Sequence, residues 1–288
     1  MKILFRTDAG LQIGAGHAMR CLALAQACRD CEAEGIFAMA ETLPAIATRL
    51  SDEGMAVSPI TASAGSAEDA ARTADLARAQ GCAGVVVDGY TFGAEFQQTL
   101  KDAGLRVLFI DDNGHASHYS ADFVLNQTNC ACENLYLRRA ANVRLLLGSK
   151  YVSFRREFWP WVGHKRMHPA RVRHILVTLG GSDPNQVTKQ VIDALRLVRL
   201  DDCQVTIVLG AGNAHVQQVA EQFRESQLRG RGVAPGDIER EREADTGRQA
   251  ALDAGDVGHF PRGQGDQVAL AAGNHMLARS GLRQSGVE

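Results

Sequence analysis

Lys2-Ile3-Leu4-Phe5-Arg6, then Ile13-Gly14-Ala15-Gly16-His17, then apolar positions at Met19, Leu22, Ala23 and Ala27 read as a strand, a glycine turn and an amphipathic helix. In such a unit the turn lies at the carboxyl edge of a sheet, where open α/β folds hold their ligands. Glycines let the backbone come close to a ligand, and the start of a helix offers free N–H groups with a partial positive charge. His17 stands at that helix start, where a neutral imidazole can accept a proton. The competing reading is a surface turn with no chemistry.

The same alternation continues outward. Strands are expected at 35–39, 55–58, 84–87, 106–110, 122–125 and 143–147, with helices at 44–53, 67–79 and 94–103 between them. Continuous apolar runs such as Val85-Val86-Val87 belong to buried parallel strands, so a parallel sheet covered by helices on both faces follows. Residues 150–170 break the rhythm with Trp159-Pro160-Trp161 and the basic residues His164, Lys165, Arg166 and His168, and read as a solvated linker. A second series then begins, with strands at 174–178 and 204–209 and helices at 186–198 and 214–224. The expected organisation is a first Rossmann-like domain over 1–149, a linker over 150–170, the start of a second such domain over 171–228, and an atypical tail over 229–288.

Composition sets outer limits. The chain has 288 residues, 45% of them apolar and 22% charged, enough for two cores. A net charge of −2 gives no reason to expect nucleic acid or an acidic membrane as partner. No apolar run approaches the roughly 20 residues of a bilayer span, and the N-terminus lacks a signal-peptide core, so a cytoplasmic protein is expected. The seven cysteines include Cys28-Arg29-Asp30-Cys31, but no second pair completes a zinc site, and free thiols are the better account. No metal or cofactor is expected.

The expected strands of the first half end in polar residues: Thr7-Asp8, Asp88-Gly89-Tyr90, Asp111-Asp112-Asn113 and Asn126-Gln127-Thr128-Asn129. Strand ends of a parallel sheet share one edge, so these groups converge, whether as site residues or as helix caps and turn formers. In the second half, Thr178-Leu179-Gly180-Gly181-Ser182-Asp183-Pro184-Asn185 follows a strand and opens a helix. Its paired glycines suit a diphosphate, although the lysine of a Walker motif is absent. Gly14-Ala15-Gly16 is no dinucleotide fingerprint, since Met19 takes the third glycine position.

Met1 to Asp8 and Gln12 to Leu22 closely resemble the start of the PseG family, hydrolases of UDP-2,4-diacetamido-2,4,6-trideoxy-β-L-altropyranose in pseudaminic acid biosynthesis. Val87-Asp88-Gly89-Tyr90, Ile110-Asp111-Asp112, Leu125-Asn126-Gln127, Leu147-Gly148 with Tyr151 and Arg155 to Phe158, and Val177 to Asn185 match in order, so the resemblance spans about 1–225. It implies a GT-B-like fold, two Rossmann-like domains facing a cleft, related to MurG. It also implies hydrolysis of a UDP-sugar at the anomeric carbon with inversion, and His17 as the catalytic base. The family's tyrosine carries over onto Tyr90 and its G-G-S/T loop onto Gly180, Gly181 and Ser182, and the expected substrate-binding positions also include Asp8, Gly14, Gly16, Arg20, Asp88, Asn126, Arg155 and Asn185. A GT-B glycosyltransferase, or a nucleotide-sugar-binding protein without turnover, would share much of this pattern.

Past about Arg224 the resemblance stops. The family has a further strand, a short helix, another strand, a Gly-rich loop and a helix whose glutamate grips the ribose of UDP. Of the 29 glycines, 11 fall in the last 60 residues, Glu239 to Glu243 is all charge, and only 267–272 looks like a strand. A change of reading frame near 224–230 is the expectation, which would leave the second domain incomplete.

Overall fold

The computed structural model describes residues 1–165, 170–200, 203–210, 213–226, 228 and 230–233. The chain divides into two compact units, one built on Met1–Arg173 and the other on the elements that follow.

The first unit alternates strand and helix as far as its fifth strand, after which the sixth and seventh follow without an α-helix. Its elements are β1 (Lys2–Thr7), α1 (Gly16–Asp30), β2 (Glu34–Met39), α2 (Pro44–Asp52), β3 (Ala56–Pro59), α3 (Ala67–Ala79), β4 (Cys82–Asp88), α4 (Ala94–Asp102), β5 (Val107–Ile110), β6 (Phe123–Asn126) and β7 (Arg144–Leu147). The strands form one sheet in the order β3-β2-β1-β4-β5-β6-β7, parallel at every pairing. The order reverses between β1 and β4, which pair from Lys2–Cys82 to Thr7–Asp88. That reversal marks where an open α/β sheet forms its ligand crevice.

Successive strand residues feed opposite faces. Leu4, Val85, Val87, Phe109 and Val124 pack against α3 and α4 through Ala70, Ala74, Phe96 and Leu100. Phe5, Phe37, Val86, Ile110 and Leu125 pack on the other face against α1 and α2 through Met19, Leu22, Ile46 and Leu50. Two buried faces are why these strands read as unbroken apolar runs. Helix α1 differs from the expected one-sided amphipathic helix. Ala18, Met19, Cys21, Leu22, Ala23, Ala25 and Gln26 are all buried, whereas Ala27 is exposed.

Of the segment expected as a solvated linker, residues 159–165 are exposed, but its start is fastened to this unit. Tyr151 packs beside the α1 face, the backbone N–H of Arg156 donates to Gln26 Oε1 at 3.0 Å, and Arg156 also pairs with Asp30.

The second unit contains β8 (His174–Thr178), α5 (Val187–Arg196), β9 (Gln204–Val208), α6 (Val216–Glu225) and β10 (Gly230–Val233), with a parallel sheet ordered β10-β9-β8. Val177, Ile192, Val205, Ile207, Val219 and Phe223 make its core. Strand β10 lies where the sequence suggested that regular structure had ended. Gly230 and Gly232 hide it from any apolar pattern, yet its backbone continues the ladder of β9. The expected strand at 267–272, the charged run 239–243 and the change of frame concern residues outside those described, as do Arg166 and His168.

Candidate active site

The carboxyl ends of β1, β4 and β5 carry the groups that meet α1. After Asp8 the chain makes a tight loop closed by two backbone hydrogen bonds between Gly10 and Gly14, of 2.8 and 3.2 Å. Gly14 takes φ +71°, a left-handed conformation that glycine adopts without strain. The chain then enters α1 at Gly16, which places His17 in the first helical turn and Arg20 three residues further, on the same face.

Both side chains reach Asp88 at the end of β4. His17 Nδ1 lies 2.8 Å from Asp88 Oδ1. Arg20 donates to the same carboxylate from Nε at 2.8 Å and from Nη2 at 2.7 Å. Its Nη1 donates to both oxygens of Asp112, at 2.6 and 2.8 Å. Burial pushes the Asp88 carboxyl up, but the hydrogen bonds from Arg20 and then His17 outweigh it and hold the group below the ordinary carboxylate range. Burial likewise opposes the charge on Arg20, and Asp88 followed by Asp112 reverses this and raises its pKa. An ionised carboxylate only accepts hydrogen bonds, so the hydrogen of a neutral His17 sits on Nδ1 and Nε2 keeps its lone pair. The result is an oriented imidazole, with an arginine securing the carboxylate that orients it.

Tyr90 flanks this pair. Gly89, at φ +152°, turns the chain where a Cβ would come within 2.8 Å of the Phe92 ring, so only glycine fits. The Tyr90 ring meets His17 edge to face, with centroids 4.8 Å apart at 86°, and its hydroxyl reaches Asp112 Oδ2 at 3.4 Å.

Other expected site residues are differently placed. Asp8, expected to orient the sugar, is buried and taken up by Arg6 Nη1 at 2.8 Å and the backbone N–H groups of Ala40 and Glu41 at 2.6 and 3.1 Å. Asp88, expected to do the same, has no exposed surface and touches His17 and Arg20 instead. Asn126 is buried against the Tyr136 hydroxyl at 2.8 Å and the Asp112 carbonyl at 3.2 Å. Arg155 pairs with Glu157 at 2.7 Å. Gly180, Gly181, Ser182 and Asn185 lie in the loop between β8 and α5, which has left-handed residues at Gly180, Asp183 and Gln186. The sequence suits Asp112 equally well to a cap, and nothing local in it announces the pairing with Arg20, 92 positions away. Among the described residues no cluster of three metal-binding side chains gathers, and no helix is long and apolar enough to cross a membrane.

No family profile matches the chain. The uncharacterized protein MJ1062 of Methanocaldococcus jannaschii is 24% identical over 214 residues, 73% of this chain, which spans 43% of that protein's length. Among solved structures, HepE of Anabaena in complex with UDP-glucose superposes with a TM-score of 0.53 at 15% identity, covering 80% of this chain and 68% of HepE. HepE in complex with UDP and glucose gives 0.51 at the same identity and coverage. The chain has the Rossmann-like α/β fold of the GT-B proteins.

Proposed function

We propose that this chain is a nucleotide-sugar hydrolase. His17 Nε2 takes a proton from a water whose oxygen bonds to the anomeric carbon, while the bond from that carbon to the phosphate oxygen breaks and UDP leaves. The observation that carries this reading is the Asp88–His17 hydrogen bond at 2.8 Å, which leaves the outer nitrogen of a partly exposed imidazole free to accept. Asp88 fixes the ring and steadies the imidazolium that forms, and Arg20 holds Asp88. UDP is a good leaving group, so stabilising its charge matters more than protonating it. The loop Gly180-Gly181-Ser182, with a left-handed Gly180 ahead of α5, offers backbone N–H groups of the kind that bind a diphosphate.

The substrate class is supported by the fold shared with HepE, whose complexes contain UDP and UDP-glucose. The particular sugar, UDP-2,4-diacetamido-2,4,6-trideoxy-β-L-altropyranose, comes from the PseG resemblance at His17, Tyr90 and Gly180 to Ser182. Attack from the face opposite UDP gives inversion.

The test is incubation of the protein with this UDP-sugar, followed by phosphorus and proton NMR. Release of UDP and of free sugar with inverted anomeric configuration, lost in His17→Ala, is expected. UDP release only after a sugar acceptor is added would make the protein a glycosyltransferase, and binding without release would make it a binder.

A further inference from the structure

We propose that His115 is a positioning residue that holds the Tyr90 ring against the imidazole of His17. The inference rests on His17 being the reacting group. Tyr90 is 54% exposed, and its hydrogen bonds, to Asp112 at a long 3.4 Å and to the Asn113 side chain, hold only the hydroxyl at the tip of the ring. Two imidazoles enclose it. His17 stands on one side with centroids 4.8 Å apart at 86°, and His115 on the other at 5.7 Å and 88°. Both distances and both angles fall within the range that aromatic pairs prefer.

His115 is suited to act as the fixed wall. Its Nδ1 faces Asp111 Oδ1 at 3.1 Å and its Nε2 faces the Phe92 carbonyl at 3.2 Å. Both partners are acceptors, so both ring nitrogens donate when the imidazole is charged, and the ring then has one orientation. Asp111 is itself locked by the backbone N–H groups of Asn113 and Gly114, at 2.8 and 3.1 Å, and by the Tyr119 hydroxyl. The buried Phe109 ring backs the imidazole at 5.7 Å. Gly114, at φ +70°, lies where a Cβ would approach the Leu135 carbonyl to 2.9 Å, so the turn carrying His115 is closely packed. Among the described residues, Tyr90 is held at its hydroxyl by Asp112 and Asn113 and along its ring by the two imidazoles. Its place beside His17 is therefore set from behind, by a residue that touches no reacting atom.

The experiment reads the ring directly and needs no turnover. The carbon-bound protons of the His17 imidazole feel the ring current of Tyr90, and Tyr90→Leu defines the full displacement of their NMR shifts. His115→Ala should lose most of that displacement, and His115→Phe, which keeps an aromatic wall, should recover it. In the hydrolase assay, kcat of His115→Ala should fall about tenfold, within the roughly 10²-fold that a misplaced group can cost, with KM little changed. Wild-type His17 shifts in a folded His115→Ala protein overturn the proposal. Equal loss in the Ala and Phe variants also overturns it, since the effect then belongs to the Asp111 network. Should His115→Ala fail to fold, His115→Gln, which keeps a donor for Asp111, takes its place in the same comparison. If no UDP is released by any form, the hydrolase reading fails while the NMR result still decides the role of His115.

Discussion

Two arginines near the carboxyl edge of the seven-stranded sheet are each gripped by two carboxylates, and only one of them stands beside a histidine. Arg6 has no exposed surface. It forms a two-pronged pair with Asp69 at 2.8 Å for each prong, reaches Asp8 at 2.8 Å, donates to the carbonyls of Thr7 and Ala38, and lies 4.8 Å from the centre of the Phe92 ring. Arg20 joins Asp88 and Asp112 with side chains 19%, 0% and 20% exposed, and His17 beside it is 14% exposed. The arrangement of charge is the same and the access to solvent is not. The sealed cluster ties the end of β1 to β2 and α3. The open one leaves its imidazole partly exposed to solvent.

Substitution separates the two. The largest effect expected is on turnover in the open cluster. His17→Ala should lower the rate of UDP release by about 10²–10⁴-fold, the usual contribution of a positioned base, with little change in melting temperature. Asp88→Asn should approach this loss, because the orienting charge goes with it. The sealed cluster should answer in stability instead. Arg6→Met leaves two buried carboxylates without their cation, and urea denaturation should show a loss of about 3–5 kcal/mol.

Acid adds a third contrast. Burial raises the Asp111 carboxyl, but hydrogen bonds from His115, Tyr119 and the Asn113 backbone bring it down to about 2. An acid whose pKa is depressed by folding stabilises the protein above its unfolded value, and this is lost as pH falls through the folded one. Asp111 should therefore contribute about 2 kcal/mol that disappears between roughly pH 4 and pH 2, with Asp88 acting in the same direction. His115 runs the other way. Its hydrogen bond to Asp111 raises its pKa despite burial, so its contribution is complete below its unfolded value near 6.5 and is lost as pH rises through the folded one. Denaturation midpoints measured across pH should fall at both ends, and in His115→Gln the alkaline fall should shrink. The smallest effect belongs to Asp112→Asn, a partly exposed pair, where about 1 kcal/mol or less of stability is at stake. A larger loss would mean that Arg20 needs both carboxylates to hold Asp88.

The fold was legible because both faces of the main sheet are buried, so Leu4-Phe5, Val85-Val86-Val87 and Phe109-Ile110 appear as apolar runs broken at fixed points by polar ends. His17 stood out because two glycines precede it. The partners of these groups were less visible. Asp88 is the last residue of β4 and pairs with Thr7, whereas Asp8 lies one residue beyond β1, and only the tertiary structure assigns Asp8 to Arg6 and Asp88 to His17 and Arg20. His115 follows its strand by several residues, in a turn whose purpose depends on Phe92 and Tyr90, more than twenty positions earlier. Strand β10 is not legible because Gly230 and Gly232 break any apolar pattern, while its backbone pairing with β9 leaves no mark in the sequence.

The hydrogen bond between His17 and Asp88 spans 71 positions of sequence, from the first crossover helix to the strand laid beside β1 after three others have been made. During synthesis, the imidazole leaves the ribosome long before its tether does. A nascent chain that ends short of β4 has the glycine bend and the histidine but no carboxylate to steer the ring. With His17 as the base proposed above, its activation waits until the middle of the sheet has closed.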